Sequence, residues 1–127
     1  MNETWEVEFT EEFEVWWNRL TEDEQVSVDA SVRLLEVYGP MLPFPHSSEV
    51  RQSRHGRMRE LRIQHQGRPL RVLYAFDPRR VAILLIGGDK TGNPRWYDET
   101  VTRADDVFDE HLDALRKKEL GNGKEIP

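Results

Sequence analysis

The apolar residues change period several times along the chain, and each change marks an element. Residues 5–9 (WEVEF) alternate apolar and acidic side chains, the period-two signature of a short strand. Thr10 followed by Glu11, Glu12 and Phe13 reads as a helix N-cap with acidic residues at the positive end of the dipole. Phe13, Trp16, Trp17 and Leu20 recur at i, i+3, i+4 and i+7, an apolar stripe at core spacing. Thr21 with Glu24 three residues on is a capping-box pattern that opens a second helix. Its face is Val28, Ser31, Val32, Leu35 and Tyr38, and Gly39-Pro40 ends it. Two helices meeting at so short a break form a helical hairpin.

Residues 39–56 hold three prolines and no period, which predicts a surface loop. Met58 to His65 then alternates, with Leu61 and Ile63 on one face and Glu60, Arg62 and Gln64 on the other. After a turn at Gln66-Gly67-Arg68, Leu70 to Asp77 places Val72, Tyr74 and Phe76 on one face and Arg71, Leu73 and Ala75 on the other. Asp77-Pro78-Arg79-Arg80 turns again, and residues 81–88 (VAILLIGG) are apolar on both faces, as a central strand requires. If the helices cover Leu61, Ile63, Val72, Tyr74 and Phe76, the period of two brings Arg62 and Arg71 together on the opposite, open face. An arginine there lies outside the core, so replacing Arg71 should leave folding largely intact. A last helix is predicted from an N-cap at Thr102, its stripe running Ala104, Val107, Phe108, His111, Leu112 and Leu115, with His111 as a half-buried core histidine.

The 127 residues suit one domain, here 1–120, with residues 121–127 (GNGKEIP) as a frayed polar tail. The expected class is α+β: a small twisted antiparallel sheet packed against an N-terminal helical hairpin and a C-terminal helix. Cysteine is absent, so disulfides and thiolate metal sites drop out. No apolar run approaches the roughly 20 residues of a spanning helix, and the first residues carry no signal-peptide pattern. A cytoplasmic protein without a membrane partner is expected.

The net charge of −6 argues against a nucleic-acid partner until its distribution is counted. Between Arg51 and Tyr97 stand eleven basic and three acidic residues, +8, which leaves −14 for the rest of the chain. Ten of the eleven are arginine, the side chain best shaped for bidentate phosphate contact. Such a segment can hold an anionic ligand on an otherwise acidic molecule.

Several chemistries lack their residues. His46, His55 and His65 have no ligand-set spacing, and the acidic residues lie mainly on helix exteriors, so metal hydrolysis is disfavoured. There is no GxSxG elbow, and GGDKTG is not a phosphate loop. What remains is metal-free phosphodiester chemistry, in which cations stabilise charge developing on the phosphorus oxygens. RNA brings its own nucleophile, the 2′-hydroxyl. Arg62 and Arg71 on one sheet face, Lys90 at the strand end and Tyr97 on the adjoining loop can supply the remaining roles, with acid and base open between Lys90, Tyr97 and a histidine.

The segments MRELRI (58–63), RVLYAFDPRRVAILLIGGDKTG (71–92) and WYDE (96–99), in this order of elements, resemble the HigB-like, phage-related branch of the RelE/ParE toxin superfamily. The similarity spans nearly the whole chain. It implies the toxin of a type II toxin–antitoxin pair, a ribosome-dependent mRNA endoribonuclease that needs no metal or cofactor and leaves 2′,3′-cyclic or 3′-phosphate ends. It also implies an antitoxin partner, a helix-turn-helix protein, besides mRNA and the ribosome. By resemblance Arg71 matches the family's arginine in the second strand of the meander, Arg62 and Arg59 the basic residues of the first, Lys90 the basic position after the last, and Tyr97 the aromatic near the final helix. The implied catalytic set is Arg62, Arg71, Lys90 and Tyr97; the implied RNA-binding set is Arg57, Arg59, Arg68, Arg95 and Trp96. Toxins of the superfamily are usually basic, and this chain is acidic. The alternatives are a ParE-like gyrase-binding inhibitor and a non-catalytic relic of the fold that binds a partner protein.

Overall fold

A computed structural model describes residues 4–125. Its elements run β1 (Val7–Phe9), α1 (Glu11–Arg19), α2 (Glu22–Tyr38), a 3-10 turn, β2 (Ser47–Glu49), β3 (Arg59–His65), β4 (Arg68–Phe76), β5 (Ala82–Asp89) and α3 (Trp96–Glu125). Both predicted caps form. Thr10 Oγ1 accepts from the Phe13 N–H at 3.1 Å and donates to the Leu85 carbonyl at 2.7 Å, so one hydroxyl starts α1 and pins it to the sheet. Thr21 and Glu24 exchange backbone N–H bonds at 2.8 and 3.2 Å, the complete capping box.

The five strands lie in the order β1-β5-β4-β3-β2. β2 to β5 pair antiparallel, while β1 joins the far edge of β5 in parallel. The doubly apolar β5 is therefore interior, as its sequence required. Gln66 and Gly67, both at positive φ, make the tight β3–β4 turn.

Each face of the sheet carries its own core. Leu61, Ile63, Leu70, Val72, Tyr74, Ala82 and Leu84 pack against Phe13, Val28 and Leu35 of the hairpin. Leu73, Ala75, Ile83 and Leu85 pack against Trp96, Val101, Ala104, Val107 and Phe108 of α3. Burial of this much apolar surface on both faces is the main stabilising term.

A register shift between β4 and β5 decides which way the end of β5 faces. Tyr74 stands opposite Leu84 but Leu73 stands opposite Ile86, so Leu85 is an extra residue, a β-bulge. Below it the parity inverts. Gly87 turns to the hairpin, where an added Cβ would lie 2.2 Å from the Trp16 ring, and Gly88 turns to α3, where one would lie 2.7 Å from Trp96 Nε1. Without the bulge Lys90 would lie on the hairpin side.

Three expectations are corrected. Residues 39–56 are not wholly loop: Ser47–Glu49 form the edge strand β2, and Leu42, Ser47 and Val50 are buried. Helix α3 starts at Trp96, six residues before Thr102. Asn93 holds the entry, its Oδ1 accepting from the Arg95 N–H at 3.0 Å, and Thr102 lies inside the helix with its hydroxyl turned back on the Asp98 carbonyl. The backbone stays helical through Glu125, into the segment expected to be a frayed tail. Ile126 and Pro127 lie outside the described residues. Among the described residues no helix is long and apolar enough to cross a membrane.

Candidate active site

Arg62 of β3 and Arg71 of β4 are direct cross-strand partners on the α3 side of the sheet. Two like charges placed opposite one another repel and need a counter-ion. Glu60, two residues before Arg62 and hence on the same face, supplies it. Its carboxylate lies 3.3 Å from Arg71 Nε and 3.8 Å from Arg62 Nη1. Glu60 and Arg71 are buried, 5% and 4% exposed, so this is an interior ion pair. Arg71 Nη1 donates to the Leu70 carbonyl at 3.0 Å, but its Nε makes no hydrogen bond among the described residues, and its approach to Glu60 is ion pairing alone.

Two further residues close over the pair. Tyr97, in the first turn of α3, donates its hydroxyl to Glu60 Oε1 at 2.6 Å. Lys90, brought to this side by the bulge, donates from Nζ to Tyr97 Oη at 3.2 Å, with Nζ 4.9 Å from the centre of the ring. Ser48 of β2 donates to Glu60 Oε2 at 2.8 Å. The result is a continuous line from Lys90 through Tyr97 to Glu60, flanked by Arg71 and Arg62.

This environment biases two protons. Burial, then the positive charge of Arg71, holds the Lys90 ammonium below the ordinary lysine value, with Glu60 pulling the other way. Burial, then the hydrogen bond to Glu60, pushes the Tyr97 phenol above its usual range, so it keeps its proton at neutral pH. Beside this line, a cavity of about 200 Å³ is lined by Pro45, His46, Arg62, Gln64 and Arg71. Lys90 and Tyr97 line a neighbouring opening. Two arginines at a small opening can hold an anion, with the Lys90–Tyr97–Glu60 line beside it to pass protons.

A family model described as "Phage derived protein Gp49-like" matches residues 15–109. The chain belongs to the Gp49-like family. It is similar to two proteins of Mycobacterium tuberculosis. With "Putative toxin HigB2" it shares 45% identity over 104 residues, 80% of this chain and 52% of that protein. With "Putative toxin HigB3" it shares 46% over 93 residues, 72% and 80% of the two chains. The chain thus spans about half the length of the first relative. Among solved structures, a mutant of E. coli toxin RelE in the free state shares the fold, with a TM-score of 0.58 and 14% identity over 79% of this chain and 97% of that one. The α+β fold and the kinship implied by the sequence resemblance hold.

The Gp49-like chain brings Arg62, Arg71, Lys90 and Tyr97 together as a cluster. Arg71 is nevertheless not on an open face. The N-terminal turn of α3 and the Glu60 pair cover it, so the expectation that folding ignores it does not stand. The other five residues disperse. Arg57 and Arg59 line a separate cleft of about 590 Å³ with Trp5 and Phe76, and Arg59 donates to Ser47 Oγ at 2.9 Å. Arg68 is held by Glu24 and Asp89. Arg95 is exposed at the entry to α3, whereas Trp96 is buried in the core and has no face free for a base. His111 is half-buried as expected, its Nε2 2.8 Å from Asp77, away from the cluster.

Glu60 and Ser48 were missed. Glu60 is the acidic residue that alternation places beside Arg62, and the need of paired arginines for a counter-ion was the available signal. Ser48 gave no signal, because a three-residue polar strand has no pattern to read.

Proposed function

We propose that this protein is the toxin of a toxin–antitoxin pair and cleaves mRNA on the ribosome without a metal, using the 2′-hydroxyl of the RNA as nucleophile. The observation that carries this reading is the line Lys90–Tyr97–Glu60 beside the Arg62–Arg71 pair. The scissile phosphate sits against Arg62, Arg71 and Lys90, which offset the charge that grows on its non-bridging oxygens. As the 2′-oxygen attacks phosphorus, its proton passes to Tyr97 Oη while the Tyr97 proton moves to Glu60, to which it already points. Lys90, its ammonium made more acidic by burial and by Arg71, gives a proton to the departing 5′-oxygen. The bond from phosphorus to that oxygen breaks, leaving a 2′,3′-cyclic phosphate upstream and a 5′-hydroxyl downstream. The kinship with proteins named as HigB toxins supports the toxin assignment and, with it, an antitoxin encoded by a neighbouring gene.

The test is to express the chain with and without the product of its neighbouring gene and map mRNA 5′ ends. New in-frame cleavage sites that vanish on co-expression support the reading. Arrest with intact mRNA and inhibited gyrase would replace it with the ParE-type alternative.

A pH profile probes the acid. If the Lys90 ammonium is required, cleavage should fall as pH rises through its lowered value, on the acid side of 10.5. A guanidinium at this position stays charged far higher, so Lys90→Arg should move that descending limb upward even if the rate is lower. An unmoved limb would assign the acid to another group.

A further inference from the structure

Phe44 is a large apolar side chain left 68% exposed, and it stands beside the candidate site. The guanidinium of Arg62 lies over its ring, 5.0 Å from the centroid. The ring is carried by a fixed wall rather than a loose loop. The N–H groups of His46 and Ser47 both donate to the Pro43 carbonyl, at 3.0 and 3.1 Å, and the Arg62 N–H donates to the His46 carbonyl at 2.9 Å. Ser47 is wholly buried and bonded to Tyr74 Oη at 2.6 Å. An exposed aromatic ring on a rigid support, next to a cationic pocket, is the arrangement on which single-stranded nucleic acids stack their bases.

The adjoining cavity, about 200 Å³, is lined by Gln64 and His46 as well as the two arginines. It is smaller than the pockets that take drug-sized ligands and suits one planar heteroaromatic ring with its phosphate. Gln64, exposed on β3, offers a donor and an acceptor on one side chain to the edge of such a ring. Arg62 faces both ways, toward Phe44 and toward Glu60 at 3.8 Å, so a phosphate bound by Arg62 leaves its own base within reach of Phe44.

We infer that Phe44 is the stacking platform for the nucleobase that adjoins the scissile phosphate, with Gln64 at the base edge, so that this wall positions single-stranded RNA and sets base preference. The inference rests on the RNA-cleaving reading of the site. Phe44 is a positioning residue: it touches no reacting atom.

The probe is a short single-stranded RNA with 2′-deoxyribose at the nucleophilic position, which binds but cannot be cut. It is offered to the isolated protein and, in a second arm, to protein on programmed ribosomes. Phe44→Ala should weaken binding roughly 5- to 150-fold, the range for loss of one base–aromatic stack, and Phe44→Tyr should restore it. An abasic nucleotide at the stacked position should weaken the wild type by the same factor and cost Phe44→Ala nothing more, since both changes remove one contact. If the wild type binds in either arm and Phe44→Ala binds equally well, or if the two losses simply add, the Phe44 assignment is overturned while the nuclease reading stands. The same holds if Phe44→Ala weakens only binding of the neighbouring gene's product. If the wild type binds RNA in neither arm, both fall together.

Discussion

Replacing Arg71 with alanine should lower RNA cleavage by roughly 10²–10³-fold, the scale expected when one preorganised charge-stabilising donor is removed. The guanidinium is fixed before substrate arrives, held by the Leu70 carbonyl and the Glu60 carboxylate in a site that excludes most water. Nothing need reorganise as charge develops on phosphorus. Lysine at 71 should recover part of the rate, because it keeps the charge and loses the two-pronged contact. Loss of cleavage must be separated from loss of fold, since Arg71 is buried. Urea denaturation of each variant, with rates measured well below the midpoint, makes that separation. Unchanged cleavage by a folded Arg71→Ala protein would remove Arg71 from the mechanism.

Glu60→Ala should be the most destabilising single change at the site. Glu60 accepts hydrogen bonds from Tyr97 and Ser48 and is the counter-ion of two arginines. Its removal leaves Arg71 buried without a partner charge, and breaking an interior ion pair from one side costs about 3–5 kcal/mol. Against a total stability of about 5–15 kcal/mol for a domain, that is a large fraction. The cost should not add to that of Arg71→Ala. The double variant has no unpaired interior charge and should be more stable than the sum of the single changes predicts. Strict additivity would show that Glu60 and Arg71 are not energetically a pair.

These two effects turn on features that the sequence exposes unequally. Alternation in residues 58–76 put Arg62 and Arg71 on one face, and they are cross-strand partners. The period of two is forced by the pleat, so the only tertiary assumption needed is which apolar face the hairpin covers. Lys90 is different. Counting by twos from Ala82 places it on the hairpin side, and only the bulge at Leu85 returns it to Arg71. A bulge inside an unbroken apolar run leaves no mark in the residue pattern. Arg57, Arg59 and Arg68 are neighbours of Arg62 and Arg71 in charge and in sequence, yet odd or even spacing and the turn at Gln66-Gly67 send them elsewhere. The resemblance implies RNA contact for Trp96. The early start of α3, set by the turn at Asn93, buries it against Gly88 instead.

The central claim is metal-free attack by the RNA's own 2′-hydroxyl at the Arg71 site, and the chemistry of the cut ends tests it most directly. Purified protein should be incubated with programmed ribosomes, with added chelator at a level that leaves the ribosomes intact, and the ends of the fragments identified. The proposed mechanism predicts cleavage that persists in chelator, a 2′,3′-cyclic or 3′-phosphate on the upstream fragment and a 5′-hydroxyl downstream, with the yield collapsing in Arg71→Ala. A 3′-hydroxyl upstream, or cleavage abolished by chelator while the ribosomes stay intact, would contradict it.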